Sequence, residues 1–234
     1  STKTIKENKK IVVATESEFA PFEFKSLVNG KDTLVGADIE LAKAIGKKLG
    51  VKVEFSVMSF DNVLASVQSG KADIAIAGIS VTDERKKVYD FSDSYYTSEN
   101  VVIVKKDKVN DFTSADSLAK QTVGTQKGSV QETIAKKQLS KASVVSLASN
   151  GEMINELKSG QIQAVVLEKA IAEGYIAQND DLTLASFNLK SDGSDAYAVA
   201  IRKGSDDLLK EINAVIKELS LIHISEPTRH AQIS

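Results

Sequence analysis

Residues 38–77 read DIELAKAIGKKLGVKVEFSVMSFDNVLASVQSGKADIAIA, and this stretch decides the fold class. Apolar side chains at helical spacing alternate with short runs of β-branched residues, and Gly50 and Gly70 stop the two helices. Together with a strand just upstream, the predicted order is strand 11–14, helix 38–49, strand 51–57, helix 61–69 and strand 72–77. A βαβαβ order predicts a parallel sheet with helices on its faces.

The second half of the chain repeats this pattern. Residues 158–166 (KSGQIQAVV) echo residues 68–76 (QSGKADIAI), since a helix ends at Ser-Gly in both and a strand follows. Residues 122–126 (TVGTQ) likewise echo residues 12–16 (VVATE). The further predicted elements are strands 101–104, 122–125, 144–147, 164–167 and 196–201, and helices 113–120, 130–139, 150–159 and 206–219. The sequence therefore predicts an α/β protein of two lobes, each built on a small parallel sheet.

The composition excludes several classes of function. The 234 residues carry a net charge of -2, so the chain lacks the basic field that binds nucleic acid. No window of about 18 apolar residues is present, so no membrane span is predicted. The absence of cysteine excludes disulfides, thiol catalysis and thiolate metal sites. No phosphate-binding or dinucleotide fingerprint occurs, and neither a cofactor nor a metal is expected.

Chemically rich residues follow four of the predicted strands. Ligands of open α/β sheets bind beyond the carboxyl ends of the strands. These ends carry Glu16 and Phe19, then Ala77, Gly78, Ser80 and Arg85, then Gln126, Lys127, Gly128 and Ser129, and finally Glu168. Two of the ends belong to each lobe. If the lobes face each other, the groups converge in a cleft, which is a usual place for a small-molecule site.

The chemistry of these groups matches a free amino acid. The planar fork of donors on Arg85 fits the two oxygens of an α-carboxylate, together with the backbone amides near Ser80. The remaining groups complete such a site, with Glu168 for the α-ammonium, Phe19 and Phe60 for the body of the side chain, and Glu16 for its polar or cationic end.

Simpler explanations exist for most of these residues. Arg85 could be a solvated arginine at the start of a helix, and Glu168 could be an exposed carboxylate at the end of a strand. Phe19 and Phe60 could belong to ordinary core packing. Two further acidic residues lie close to Glu16 in the sequence and could be confused with it.

Five segments together resemble the polar amino-acid-binding proteins that feed ABC importers. They are 15–24 (TESEFAPFEF), 35–45 (VGADIELAKAI), 77–85 (AGISVTDER), 90–96 (DFSDSYY) and 123–129 (VGTQKGS). The resemblance runs from about residue 10 to residue 219. It implies a two-lobed periplasmic-binding-protein-like fold of type II, with hinge crossings near 96–98 and 201–203. The lobes would then be residues 1–97 with 203–234, and residues 98–202.

The same resemblance implies a role for each site residue. The implied contacts are Arg85, Ser80 and the backbone around Ala77 and Gly78 for the α-carboxylate, with Gln126, Gly128 and Ser129 from the second lobe; Glu168 for the α-ammonium; Phe19 and Phe60 as a clamp on the side chain; and Glu16 for a cationic end. The family commonly has aspartate where this chain has Glu168, whose side chain is one methylene longer.

The implied function is that of a non-enzymatic receptor that closes on a polar or basic amino acid and delivers it to an ABC permease. Arginine is favoured, followed by lysine, ornithine and histidine, and glutamine or another polar residue is the alternative. The resemblance implies a monomer outside the cytoplasm. It would be periplasmic, or a cell-surface lipoprotein whose signal segment and anchor cysteine are absent from this chain, and a membrane contact is expected only through such an anchor.

Two other functions stay open at this point. Enzymes similar to cyclohexadienyl dehydratase use the same fold, but they need acid–base groups, and without histidine in the cleft Glu16 or Glu168 would have to serve. The sensor module of a signalling protein is the third candidate. The absence of an attached transmembrane or kinase segment counts against it.

The two ends of the chain carry expectations of their own, and the C-terminal end departs from the family pattern. The opening STKTIKENKK is predicted to be a linker or a trimmed mature start. Family members usually finish with an aromatic-containing helix, whereas residues 220–234 read SLIHISEPTRHAQIS. We expect these residues to be a non-native tail. Its pair of histidines is not followed by an acidic residue or a cysteine that would complete a metal site.

Overall fold

The chain forms two compact units in the computed structural model, which describes residues 1–193 and 195–225. The first unit comprises Ser1–Thr97 and the described residues from Ala196 onward, and the second lies within Ser98–Asp195. The return to the first unit thus falls at 195–196 rather than near the expected 201–203. The reason is strand pairing, because residues 200–202 pair only with strands of the first unit.

The helices and strands follow one another in α/β order along most of the chain. The helices are α1 (Thr2–Asn8), α2 (Ala37–Leu49), α3 (Phe60–Gln68), α4 (Asp83–Lys86), α5 (Val130–Gln138), α6 (Asn150–Ser159), α7 (Lys169–Gln178) and α8 (Asp206–Ser225). The strands are β1 (Lys10–Thr15), β2 (Glu18–Phe19), β3 (Glu23–Val28), β4 (Lys31–Val35), β5 (Lys52–Val57), β6 (Ile74–Ala75), β7 (Tyr89–Phe91), β8 (Tyr96–Thr97), β9 (Asn100–Lys105), β10 (Thr122–Gln126), β11 (Ser143–Leu147), β12 (Ala164–Glu168), β13 (Leu182–Leu184), β14 (Ala196–Tyr197) and β15 (Ala200–Arg202).

Each unit contains one five-stranded sheet, and the two sheets have the same topology. The strand orders are β5-β1-β6-β15-β7 in the first unit and β11-β10-β12-β9-β13 in the second. The first three strands of each order run parallel, as predicted, but the fourth is antiparallel to both of its neighbours. The sheets are therefore mixed rather than purely parallel. In both units the antiparallel strand follows soon after the chain has passed from the other unit.

The segments that echo each other in the sequence occupy equivalent registers in the two sheets. Val13 pairs with Ile74 in the first sheet, and the matching residues Val123 and Ala164 pair in the second. The two sheets also share an equivalent hydrogen bond between a side chain and the backbone. Asp73 accepts from the Val12 amide at 2.8 Å, and Gln163 accepts from the Thr122 amide at 2.8 Å. The residue just before each of these strands therefore bonds the neighbouring strand in the same way in both sheets.

The apolar periodicity of helix α2 gives the helix one buried face. Its apolar stripe, formed by Ile39, Leu41, Ala42, Ile45 and Leu49, is buried. Acidic residues occupy its first turn and lysines its last, in agreement with the helix dipole. The αL conformation at Gly50 (φ 69°) ends the helix as expected.

The segment between β1 and α2 was predicted only as a loop and a turn, but it forms a three-stranded antiparallel sheet. Its order is β2-β3-β4, and β3 and β4 are joined at the Asn29-Gly30 turn. Both turn residues have positive φ, 53° and 77°, as a tight hairpin turn requires. Strand signals here are weak because β2 has only two residues and β3 is largely exposed.

The polar opening of the chain is not a linker. It forms α1, which begins after the N-cap Ser1, and Ile5 is buried in the main core cluster of the first unit. The Thr2 amide also donates to the Asp207 carboxylate at 3.2 Å. A single apolar residue among polar neighbours carries too little periodicity to predict a helix, so only tertiary packing reveals it.

We expect Ile5→Val to lower the free energy of unfolding by about 0.5–1.5 kcal/mol, because it removes one buried methylene from this core. Chemical denaturation would measure the change. Leu27→Val is the matched control, since it shortens a side chain that is 72% exposed. Equal effects of the two substitutions would contradict the packed position of Ile5.

Helix α8 continues to Ser225, beyond the predicted end at 219. The predicted stop at Pro227 and the rest of the tail, residues 226–234, lie outside the described residues, and the non-native origin of the tail stays a prediction. No helix within residues 1–193 and 195–225 is long and apolar enough to cross a membrane.

Candidate functional site

Arg85 is held within the first unit by its own helix cap and by the backbone. Helix α4 begins after Thr82, whose hydroxyl accepts from the Arg85 amide at 3.1 Å. The guanidinium donates from Nη1 to the Ser80 carbonyl at 2.7 Å and lies over the Phe60 ring, with Cζ 5.8 Å from its centre. Burial lowers the pKa of Arg85, and Tyr89 and Glu84 partly oppose this. Arg85 is therefore not a solvated helix-start arginine.

The segment from Gly78 to Ser80 is fixed on both sides. Gly78 adopts φ +58°, and a Cβ added there would lie 2.2 Å from Cε2 of Phe19. Its amide donates to Oδ2 of Asp38 at 2.9 Å. Ser80 is buried, and its backbone forms an isolated antiparallel β-bridge with that of Tyr197. The backbone here is thus held by contacts within the first unit.

Both predicted clamp rings are packed inside the first unit. The Phe19 ring centre lies 5.7 Å from that of Phe22 and 6.4 Å from that of Tyr197. Phe60 is the first residue of α3 and is packed in a core cluster that includes Ala77. Core packing therefore buries most of the surface of each ring. It leaves 4% of Phe19 and 7% of Phe60 exposed.

A group of buried acidic residues lies beside this segment, and sequence analysis missed most of it. Glu16 follows β1 and is 4% exposed, while Glu23 and Asp38 are 0% exposed. Burial raises the pKa of Glu23 well above its usual range, and the charges of Asp38 and Glu16 raise it further. Burial also raises the pKa of Asp38, while Glu23, Tyr95 and the hydrogen bond from the Gly78 amide lower it. Asp38 and Glu23 lie within the quoted family segments, which was the available signal.

In the second unit, hydrogen bonds of Ser129 hold the predicted loop after β10 together. Ser129 caps α5, and its hydroxyl accepts from the Glu132 amide at 3.3 Å and donates to the Gln126 carbonyl at 2.6 Å. Gln126 is buried and donates from Nε2 to the Ala148 carbonyl at 3.4 Å. Gly128 supplies the positive φ of +80° that this turn needs. The structure thus brings Gln126, Gly128 and Ser129 together.

Glu168 is buried rather than exposed, so the simple strand-end alternative is wrong. It is 1% exposed and caps α7, with Oε2 accepting from the Ala170 amide at 2.8 Å and from the Ile171 amide at 3.3 Å. Glu168 also pairs in register with Asn100, whose side chain accepts from Gln131 at 2.7 Å.

The predicted residues therefore fall into separate groups. In the first unit, direct contacts join Arg85 to Ser80 and Phe60, and Gly78 packs closely against Phe19. Among the residues that the structure describes, no cluster of three or more histidine, cysteine, aspartate or glutamate side chains could hold a metal ion.

Comparison with known proteins adds a family and several relatives. The model of the bacterial extracellular solute-binding proteins, family 3, matches residues 11–221. The arginine-binding extracellular protein ArtP of Bacillus subtilis is 35% identical over 216 residues, which are 90% of this chain and 81% of that protein. The family match ends close to the position where the sequence departs from the expected pattern.

Solved structures of similar proteins share the fold. The amino acid ABC transporter substrate-binding protein AbpA of Streptococcus pneumoniae, bound to L-arginine, is 51% identical with a TM-score of 0.91, covering 94% of this chain and 92% of that one. The ancestral amino acid-binding protein AncCDT-1, a precursor of cyclohexadienyl dehydratase, is 35% identical with a TM-score of 0.85, covering 94% and 93%.

Proposed function

The chain belongs to the bacterial extracellular solute-binding proteins of family 3, and from this membership we propose that it binds L-arginine and delivers it to an ABC permease. The observation that carries the choice of an amino acid is Arg85, whose guanidinium is fixed beside the Gly78–Ser80 backbone by its bond to Ser80. The choice of arginine among amino acids is supported by the buried Glu16 in the same unit and by the arginine-bound relative at 51% identity.

Each site residue has a proposed role toward arginine. Arg85 and the Ser80 backbone amide bind the α-carboxylate through charge-assisted hydrogen bonds, beside Gly78, whose own amide is held by Asp38. The Ala77 backbone is a further proposed contact of the carboxylate, as are Gln126, Gly128 and Ser129 from the second unit. Glu168 is proposed to bind the α-ammonium and Glu16 the guanidinium. Phe19 and Phe60 are proposed to lie along the aliphatic stem.

Binding without chemistry distinguishes this function from an enzyme on the same fold. The relatives compared above are binding proteins, including the precursor of the dehydratase. Both histidines of the chain lie after residue 222, so Glu16 or Glu168 would have to act as acid or base. Both are assigned to ligand charges instead, and we therefore propose a receptor and not a catalyst.

Calorimetric titration against the twenty standard amino acids and ornithine tests the function. We expect one molecule of L-arginine to bind per chain more tightly than lysine, ornithine or histidine, and the recovered ligand to be chemically unchanged. Absence of binding by every basic amino acid would refute the arginine assignment. A changed ligand after incubation would refute the receptor function.

The partner and the location are also proposed. An ABC permease is the expected acceptor of the ligand, and the receptor is expected to act as a monomer outside the cytoplasm, as the family's extracellular designation suggests. The two-unit arrangement of the chain supports hinge closure on the ligand, which remains a prediction.

We expect Glu16→Gln to lower affinity for arginine by about tenfold while changing affinity for glutamine by less than about threefold. A hydrogen bond to a charged group contributes about 1–1.5 kcal/mol more than a neutral one, and the amide keeps the shape of the side chain without its charge. Titration calorimetry with both ligands measures the two effects. The control is Glu18→Gln, on the exposed neighbouring position. Equal losses for both ligands would show that Glu16 does not recognise side-chain charge.

A further inference from the structure

Glu23 and Asp38 form a buried acidic pair in the first unit. Glu23 is the first residue of β3, Asp38 lies in the first turn of α2, and both side chains are 0% exposed. The groups that act most strongly on the Glu23 carboxyl are themselves acidic, Asp38 and then Glu16. Two ionised carboxylates at such close range inside a protein repel each other and lose their hydration.

The backbone brings the residues that carry these two carboxyl groups together. Gly36, with φ +126°, allows the chain before α2 to approach so closely that an added Cβ would lie 2.3 Å from the Phe22 carbonyl oxygen. The Asp38 amide donates to that same carbonyl at 2.8 Å. Since Glu23 follows Phe22 directly, the contact between the start of β3 and the start of α2 places its side chain beside Asp38.

The two carboxyl groups differ in what stabilises their charge. Asp38 accepts from the Gly78 amide at 2.9 Å and lies at the N-terminus of a 13-residue helix, where the dipole favours an anion. The Tyr95 hydroxyl also acts on Asp38, and burial keeps Tyr95 neutral because its pKa is raised well above the usual range. Glu23 has the charge of Asp38 as its strongest neighbour, so the proton belongs on Glu23.

We propose that Glu23 is protonated at neutral pH and donates a hydrogen bond to Asp38, which stays ionised and holds the Gly78 amide in place. Glu23 and Asp38 are then positioning residues for residues 77–80. They act through Gly78 and do not touch the ligand. This role rests on the proposed function, in which that backbone receives the α-carboxylate of arginine.

The surrounding groups set the sign of the pH dependence. Besides Asp38, the Glu23 carboxyl is affected by Glu16, and the Tyr95 hydroxyl beside the pair is affected by Tyr197; all of these are acidic groups or phenols. The folded protein keeps a proton on Glu23 after the unfolded chain has released it. Stability is therefore fully present below the unfolded pKa and is lost as pH rises toward the raised folded pKa.

Thermal melting of Glu23→Gln against wild type tests the proton. The glutamine amide donates to Asp38 without needing a proton, so the variant is expected to gain in melting temperature relative to wild type by up to about 3–5 °C per pH unit between about pH 5 and pH 8. Glu18→Gln, which changes an exposed carboxylate on the neighbouring strand, should show no such trend. A Glu23→Gln difference that is constant over this range would overturn the proposal.

A measurement on the wild-type protein makes the test independent of how the variant folds. With glutamate labelled at the carboxyl carbon, one signal is expected to keep the chemical shift of a protonated acid at pH 7 while the exposed glutamates have titrated. Complete ionisation of every glutamate by about pH 6 would overturn the proposal.

Arginine titrations of three variants test the positioning role. Asp38→Ala leaves the Gly78 amide without its acceptor and is expected to lower affinity by about tenfold or more. Asp38→Asn restores an acceptor and should recover at least part of that loss, while Glu23→Gln should stay within about threefold of wild type. Wild-type affinity in Asp38→Ala would overturn the positioning role. If wild type itself bound no amino acid, the proposed function would fail, whereas the melting and labelling experiments would still decide the protonation.

Discussion

Arg85→Ala is expected to lower affinity for L-arginine by about thirtyfold or more, because losing one partner of a desolvated charge pair costs about 2–5 kcal/mol. The guanidinium bonds the Ser80 carbonyl and lies over the Phe60 ring, and these contacts hold it in position. Arg85→Lys should also bind weakly, because a compact ammonium cannot supply the planar pair of donors that a carboxylate accepts. Titration calorimetry measures both variants.

The chain offers a matched control for this loss. Arg202 on β15 is exposed and is the other arginine within the described residues, so Arg202→Ala makes the same chemical change away from the proposed site. It should leave affinity unchanged. Because Arg85 also bonds the Ser80 carbonyl, melting temperatures must accompany the titrations. Wild-type affinity in Arg85→Ala would refute the carboxylate assignment, and an equal loss in Arg202→Ala would show that the effect is not specific to Arg85.

The parts of the fold that could be predicted are those whose periodicity is repeated over many residues. The apolar stripe of α2 and the β-branched run of β1 both carry such a signal, and the Ser-Gly segments at Gly70 and Gly160 mark the equivalent strands. Helix α1 could not be predicted because only Ile5 contributes an apolar contact. The antiparallel direction of β9 and β15 depends on how the chain passes between units, which no local pattern records.

The site shows a similar division. Arg85 and Ser129 could be proposed as site residues because each follows a strand and lies in a segment with a chemical rationale. Asp38 could not, since an aspartate in the first turn of a helix ordinarily needs no explanation beyond the helix dipole. Its burial depends on the close approach of residue 36 to the Phe22 carbonyl, which joins elements that are separate in the sequence. Glu168 was singled out because it follows a strand, and its capping of α7 appears only in three dimensions.

Gly78→Ala is expected to destabilise the protein by about 2–5 kcal/mol and to lower arginine affinity by about tenfold or more. The first part of the cost is the left-handed conformation at φ +58°, about 1–2 kcal/mol for a residue with a Cβ. The second is overpacking, about 1–3 kcal/mol, because the new methyl group would lie 2.2 Å from Cε2 of Phe19. The ring must move, and with it the backbone proposed to bind the carboxylate; a loss of about 1.4 kcal/mol in that contact is tenfold in affinity.

Gly30→Ala separates the two contributions. Gly30 also has a positive φ, +77°, but nothing lies within 4 Å of an added Cβ at that hairpin turn. It should therefore show the conformational cost alone and leave arginine affinity unchanged. Chemical denaturation and calorimetry of both variants provide the comparison. If Gly78→Ala were no less stable than Gly30→Ala, the close packing of Phe19 on Gly78 would be wrong; if it were less stable but bound arginine normally, the ligand would not depend on this backbone, and the positions assigned to Gly78 and Phe19 in recognition would have to be abandoned.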